Sequence, residues 1–178
     1  MDVLVALHAA AALLLLVAGF AKIVRPAPTT ELLVTLGLPA KPAAAIALGV
    51  VESLVGVSAL AIGGSIVAGA TGVLYVGFVV VVWRALAMGA TSCGCFGRVD
   101  TPPSILHVVG NAALAAVSFA AIAGDSPLEV MDGQPAGGLG FVVLIGVLAG
   151  LSLVALTALP EALSARRGNA ASPESRSE

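Results

Sequence analysis

Two cysteines are the whole thiol complement of this 178-residue chain, and they stand one residue apart in Ser92-Cys93-Gly94-Cys95-Phe96-Gly97. Two thiols separated by a single glycine are within reach of each other, because glycine accepts the strained turn that a short ring requires. A disulfide between such close neighbours departs from relaxed geometry and is easily reduced. Labile disulfides serve exchange, whereas a structural bridge normally closes a longer loop to constrain the unfolded chain. The spacing therefore favours redox chemistry. Two other readings stay open: a metal site in which His107 joins Cys93 and Cys95, one ligand short of a four-coordinate structural zinc, or two small buried cysteines in a turn. Phe96, beside the pair, would shield the thiols from water or dock a flat ring.

The other residues able to do chemistry are few. Glu52 falls near the middle of an apolar run, where an ionised side chain is expensive and is expected to pair with a cation. Lys22 and Arg84 are the candidate partners, each long enough to reach toward a membrane face. A paired carboxylate beside a thiol could also take the thiol's proton. His107 and Asn111 are four apart and share a helix face. His107 near the thiols would raise the reactive thiolate fraction; otherwise it is an interfacial histidine among headgroups. Asn111 is expected to make an interhelical hydrogen bond worth roughly 1 kcal/mol. Tyr75 is expected to hydrogen-bond and Trp83 to anchor at the interface. His8 receives no role.

Composition says what must carry these residues. Hydrophobic residues make up 59% and charged residues 10%, with mean hydropathy +1.10, whereas a soluble domain has about 25% charged residues. The solvent must be a bilayer. Five runs approach the ~20 apolar residues that a span needs: 3–24, 42–62, 65–88, 104–123 and 139–159. The first lacks the positive n-region of a signal peptide and is read as a retained helix. Between the first two runs, 29–38 forms a short interfacial helix closed by Gly37 and Pro39. Gly63-Gly64 is a tight turn that makes the second and third spans antiparallel neighbours. Asp100-Thr101-Pro102-Pro103 reads as a cap and first turn for the fourth. Gly49 and Gly56, or Gly146 and Gly150, permit close helix approach. Residues 124–138 form an acidic extracytoplasmic loop, and 161–178 a disordered polar tail.

Every Lys and Arg flanks the first connection, the cysteine connection or the tail. With five spans these lie on one side, so the positive-inside rule places the N-terminus outside and the cysteine connection and C-terminus in the cytoplasm. Net charge is −2, which excludes a nucleic-acid groove. There is no phosphate loop, no Ser–His–Asp set in the polar connections, no haem or iron–sulfur ligand pattern and no transporter-like repeat.

Phe20-Ala21-Lys22-Ile23, Glu52-Ser53-Leu54-Val55-Gly56, Arg84, Cys93-Gly94-Cys95-Phe96-Gly97 and Asn111 follow in that order. Over about residues 18–119 this resembles the MauE branch of the MauE/DoxX-like redox-associated membrane proteins. The resemblance implies an all-α integral membrane protein of the bacterial inner membrane: a DoxX-like four-helix bundle over 1–123, to which this chain adds a fifth transmembrane helix over 139–160. It implies Cys93 and Cys95 as the redox pair and a thioredoxin-like protein or a quinone as electron partner. It also implies a role in maturing a partner protein, as in methylamine utilisation. One departure is Gly110, where members often carry an arginine. The competing function is a non-catalytic membrane subunit or assembly factor of a larger complex, with the Cys-Gly-Cys turn structural or metal-binding. A small-solute carrier with a polar path around Glu52 is a weaker third.

Overall fold

The computed structural model describes residues 3–38, 41–90 and 103–123, together with 143, 145–151 and 154 of a further helical stretch. The elements are α1 (Val3–Val24), α2 (Ala27–Thr35), α3 (Pro42–Ala61), α4 (Ser65–Ala87) and α5 (Ile105–Ala120), the last running into a 3-10 turn, Ala121–Ala123. Among the described residues there is no strand. Among the described residues, four helical segments are long and apolar enough to cross a membrane: α1, α3, α4 and α5 with its 3-10 turn. A helix of 22 residues such as α1 is about 33 Å long, against a hydrocarbon core of about 30 Å. The protein is an all-helical integral membrane protein.

The bundle is built around α1. His8, Ala9, Ala10, Ala11 and Ala12 are all buried in succession, so this helix is covered around its whole circumference rather than along one stripe. Its alanines keep it thin enough for neighbours on several sides. On one side lies α3, on another α5 and α4. On a third, Ile145 and Ala149 of the C-terminal helical stretch pack against Val5, Ala6, Ala9, Ala10 and Leu14. The outer helices instead turn Val50, Leu54 and Val57 of α3 and Ile66, Val73 and Val80 of α4 outward. Such aliphatic surfaces are lipid-facing, since water-soluble proteins seldom expose apolar patches this extended.

Glycine sets the α1–α3 distance. A Cβ on Gly19 would lie 2.5 Å from the Gly49 carbonyl oxygen, one on Gly49 would lie 2.6 Å from the Gly19 oxygen, and one on Gly56 would lie 2.8 Å from Ala12 oxygen. Backbone meets backbone at all three, the small-residue packing used where no hydrophobic effect drives helices together. Gly146 and Gly150 do not serve this purpose: a Cβ on either meets nothing within 4 Å, because the C-terminal stretch approaches α1 through Ile145 and Ala149.

That close approach brings an ion pair into the interface. Lys22 Nζ donates to Glu52 Oε2 at 2.8 Å, with side-chain exposures of 5% and 0%. Lys22 therefore turns sideways to α3 instead of reaching to the membrane face. Arg84, the other candidate, takes a different partner: its Nη2 donates to Leu36 oxygen at 3.5 Å, a cation set against the C-terminus of α2.

The short elements depart from expectation in two places. The helix expected over 29–38 begins earlier, at Ala27, because Pro28 sits in the first turn, where a proline forfeits no helical hydrogen bond. It ends as expected at Gly37 (φ 78°), with Leu38 N–H donating to Leu33 oxygen at 3.0 Å and Gly37 N–H to Val34 oxygen at 2.9 Å, a Schellman closure. The start of α5 is the second. The N-cap position is held by Ser104, in extended conformation, rather than by Asp100 or Thr101, and its hydroxyl meets the His107 ring instead of capping a backbone N–H.

Two outcomes follow for stability. Gly49→Val should push α1 and α3 apart and destabilise the bundle by about 1–3 kcal/mol, while Gly77→Ala, where a Cβ meets nothing within 4 Å, should leave it unchanged; unfolding in detergent micelles reads both. Glu52→Ala removes the carboxylate that faces a buried ammonium and should cost about 3–5 kcal/mol, most of which the double variant Lys22→Met/Glu52→Gln recovers.

Candidate functional site

α4 ends in a second Schellman closure. Gly89 takes φ 66°, and Ala90 N–H donates to Ala85 oxygen at 3.0 Å. Ala90 then packs on a small core formed by Leu32 of α2, its C-cap residue Leu36 and Ala85. Residues 91–102 follow, and with them Cys93, Cys95, Phe96 and Arg98 lie outside the described residues. The chain resumes at Pro103, which is buried, and enters α5 through Ser104. Both ends of the cysteine connection thus stand at the α2 end of the bundle. The acidic loop 124–138 and the tail 161–178 also lie outside the described residues.

At that end is a cavity of about 360 Å³. Its wall is mostly aliphatic, drawn from all five helices, with Leu15 and Ala18 of α1 on the floor and Leu32 of α2 over it. Five side chains bring polar atoms to it: Lys22, Thr29, Tyr75, His107 and Asn111. α1 supplies Lys22 because the Gly19 contact holds this turn against α3. α5 supplies His107 and Asn111 because residues four apart share a face. α4 supplies Tyr75 and Phe78 for the corresponding reason at a spacing of three.

Each polar group is held. Lys22 Nζ, besides its bond to Glu52, lies 5.4 Å from the centroid of the Phe78 ring, within cation–π range. Phe78 meets Tyr75 edge to face, with centroids 5.8 Å apart and planes at 86°. Tyr75 donates its hydroxyl to the Ala11 carbonyl oxygen at 2.7 Å, the hydrogen bond expected of it. His107 Nδ1 and Ser104 Oγ are 2.7 Å apart. Glu52 does not line the cavity; it stands behind Lys22, and its Oε1 has no hydrogen-bond partner among the described residues.

Two expectations change here. Asn111 makes an intrahelical bond, with Nδ2 donating to the His107 carbonyl oxygen at 2.6 Å. It reaches back one turn because the space before it is cavity, not a neighbouring helix. His107 is not among headgroups: it is 2% exposed. Trp83 is 60% exposed at the end of α4, as an interfacial anchor would be. Arg84 lies apart from the cavity.

Among the sequence candidates, the fold brings together Lys22, Glu52, His107 and Asn111. Phe78 and Thr29 were not singled out. The spacing of Phe78 from Tyr75 carried a signal for the first; nothing in the sequence marked Thr29, which is buried only because α2 folds onto the bundle. No cluster of three or more His, Cys, Asp and Glu exists among the described residues, and two members of the alternative metal set, Cys93 and Cys95, lie outside them. A flat apolar ring bearing a carbonyl oxygen fits the residues present, with aromatic and aliphatic walls around it and ammonium and amide donors at one end.

A family model described as Methylamine utilisation protein MauE matches residues 1–124. No curated protein and no solved structure matches the chain. The matched region holds all five helices of the bundle, the Lys22–Glu52 pair, the cavity and the Cys-Gly-Cys string, and by that match the chain belongs to the MauE family.

Proposed function

We propose that the chain is a membrane thiol–disulfide redox protein that works through Cys93 and Cys95 and supports the maturation of a partner protein, as the family's description in methylamine utilisation suggests. The observation that carries this reading is the Cys93-Gly94-Cys95 spacing in a connection whose two ends, Ala90 and Ser104, touch residues that line the cavity, Leu32 and His107.

A thiolate of the pair attacks a partner disulfide, forming a mixed disulfide and releasing a partner thiolate, which takes up a proton. The second cysteine, giving up its proton, attacks the mixed disulfide, closes the Cys93–Cys95 disulfide and releases the second partner thiol. Two electrons and two protons pass to the partner; in the reverse direction they pass back. The partner is a thioredoxin-like protein, or a quinone within the bilayer taking the same two electrons and two protons. His107 is three residues from the helix cap that ends the cysteine connection, suited to accept or return a thiol proton. Glu52, behind Lys22, keeps the site's ammonium neutralised. The charge bias of the connections supports a cytoplasmic cysteine face and an external N-terminus.

Thiol trapping tests this. In intact cells a membrane-impermeant maleimide should label neither cysteine, and in opened membranes it should label them only after reduction. Cys95→Ser or Cys93→Ser should abolish partner maturation, and one of the two should accumulate a mixed disulfide on a non-reducing gel. Free labelling of both thiols without reduction, with normal maturation in both variants, would sink the redox reading and favour a non-catalytic assembly subunit.

A further inference from the structure

The cavity is more than a packing fault. Its floor residues Leu15, Tyr75 and His107 are almost wholly buried, whereas Val73 on its rim is 63% exposed, and Gly77 beside it is exposed as well. α1 packs mainly with α3, and α4 mainly with α5; α3 and α4 touch far less than either touches its own partner. The mouth therefore faces sideways between α3 and α4, into the aliphatic surface that meets lipid.

We infer that this cavity is a binding site for a membrane-dissolved molecule with a flat, carbonyl-bearing ring and an apolar tail, the chemical class of the quinones, admitted laterally between α3 and α4. This rests on the redox reading only for what the ligand would do, not for its binding. Three features select the class. The volume lies in the range of small-molecule sites, and the mostly aliphatic wall lets an apolar molecule pass in from lipid without a desolvation cost. The Tyr75–Phe78 edge-to-face pair offers aromatic surface to a ring, which an acyl chain would not use. The polar end is electrically balanced, because Glu52 already compensates the Lys22 ammonium. A balanced site favours a neutral carbonyl acceptor over a carboxylate, whose own charge would go uncompensated in a low-dielectric setting. Asn111 and His107 flank that end. An amide and an imidazole can each donate and accept, so a ligand carbonyl and its reduced hydroxyl both find complementary chemistry.

The test uses the full chain in lipid nanodiscs with both cysteines replaced, Cys93→Ser/Cys95→Ser, so that no thiol chemistry contributes. A photoreactive azido-benzoquinone with a short alkyl tail is the probe, and the labelled peptides are mapped. Labelling of α4 or α5 next to the cavity is expected, competed by unlabelled decyl-benzoquinone but not by decanol or oleate. Gly77→Phe should abolish it by filling the mouth; Val73→Trp provides a second plug if Gly77→Phe does not fold. Asn111→Leu should weaken binding about tenfold, the loss of one well-placed hydrogen bond. Equal competition by decanol or oleate, or labelling indifferent to both plugs, overturns the assignment and makes the cavity an acyl-chain groove. Because the protein tested has no thiols, that failure leaves exchange with a protein partner standing, while failure of thiol trapping leaves the binding result standing.

Discussion

The contact on which the structure depends is the backbone-to-backbone approach of α1 and α3 at Gly19 and Gly49. It is shorter than any side chain allows, and it decides where Lys22 ends. With the helices this close, the Lys22 ammonium reaches Glu52 at 2.8 Å; with a methyl group between them the interface would have to open. A buried pair of this kind contributes little net stability beyond what an apolar pair would, since desolvation offsets most of the Coulomb attraction. Its consequence is positional. It holds a cation on the wall of a cavity in the apolar part of the bundle without leaving net charge there.

The rest of the site follows from how the remaining helices avoid crowding that wall. α4 and α5 pack on each other, with Gly72 accommodating the Phe119 ring, and meet α1 through Tyr75, Ala11 and Ala115. Further along, toward α2, the helices separate and the cavity occupies the gap. α2 closes it from above by burying Thr29 and Leu32. The same small helix receives Arg84 at its C-terminus and Ala90 on its apolar side. One nine-residue element thus covers the cavity and receives the chain where it leaves α4 for the cysteines.

Much of this was legible beforehand. Spans 3–24, 42–62, 65–88 and 104–123 match the helices to within a residue at either end, α5 taken with its 3-10 turn, because a bilayer demands a fixed length of apolar helix and the chain has few charges to blur the limits. The need to pair Glu52 was legible for the same reason. What misled were local signals with more than one solution. Asp100 and Thr101 are good capping residues, yet Ser104 holds the N-cap position of α5. Asn111 was expected to bridge helices, yet it bonds within its own, since a polar side chain beside a cavity has no neighbour to reach. Gly146 and Gly150 have the spacing of a close-packing stripe, yet face open space.

By itself, then, the amino-acid sequence determined the class of solvent, the number and extent of the spans that the fold describes, the presence of a paired intramembrane carboxylate and the only two thiols available for chemistry. These depend on residue type and on one-dimensional length, which a chain carries in full. Tertiary structure alone decided that Lys22 and not Arg84 pairs with Glu52, that His107 is buried rather than interfacial, and that Lys22, Tyr75, His107 and Asn111 border one cavity. Those outcomes depend on the helix-to-helix distances and rotations set by glycine contacts and by the fold of α2. Such quantities arise from every neighbour at once, so no single stretch of sequence contains them.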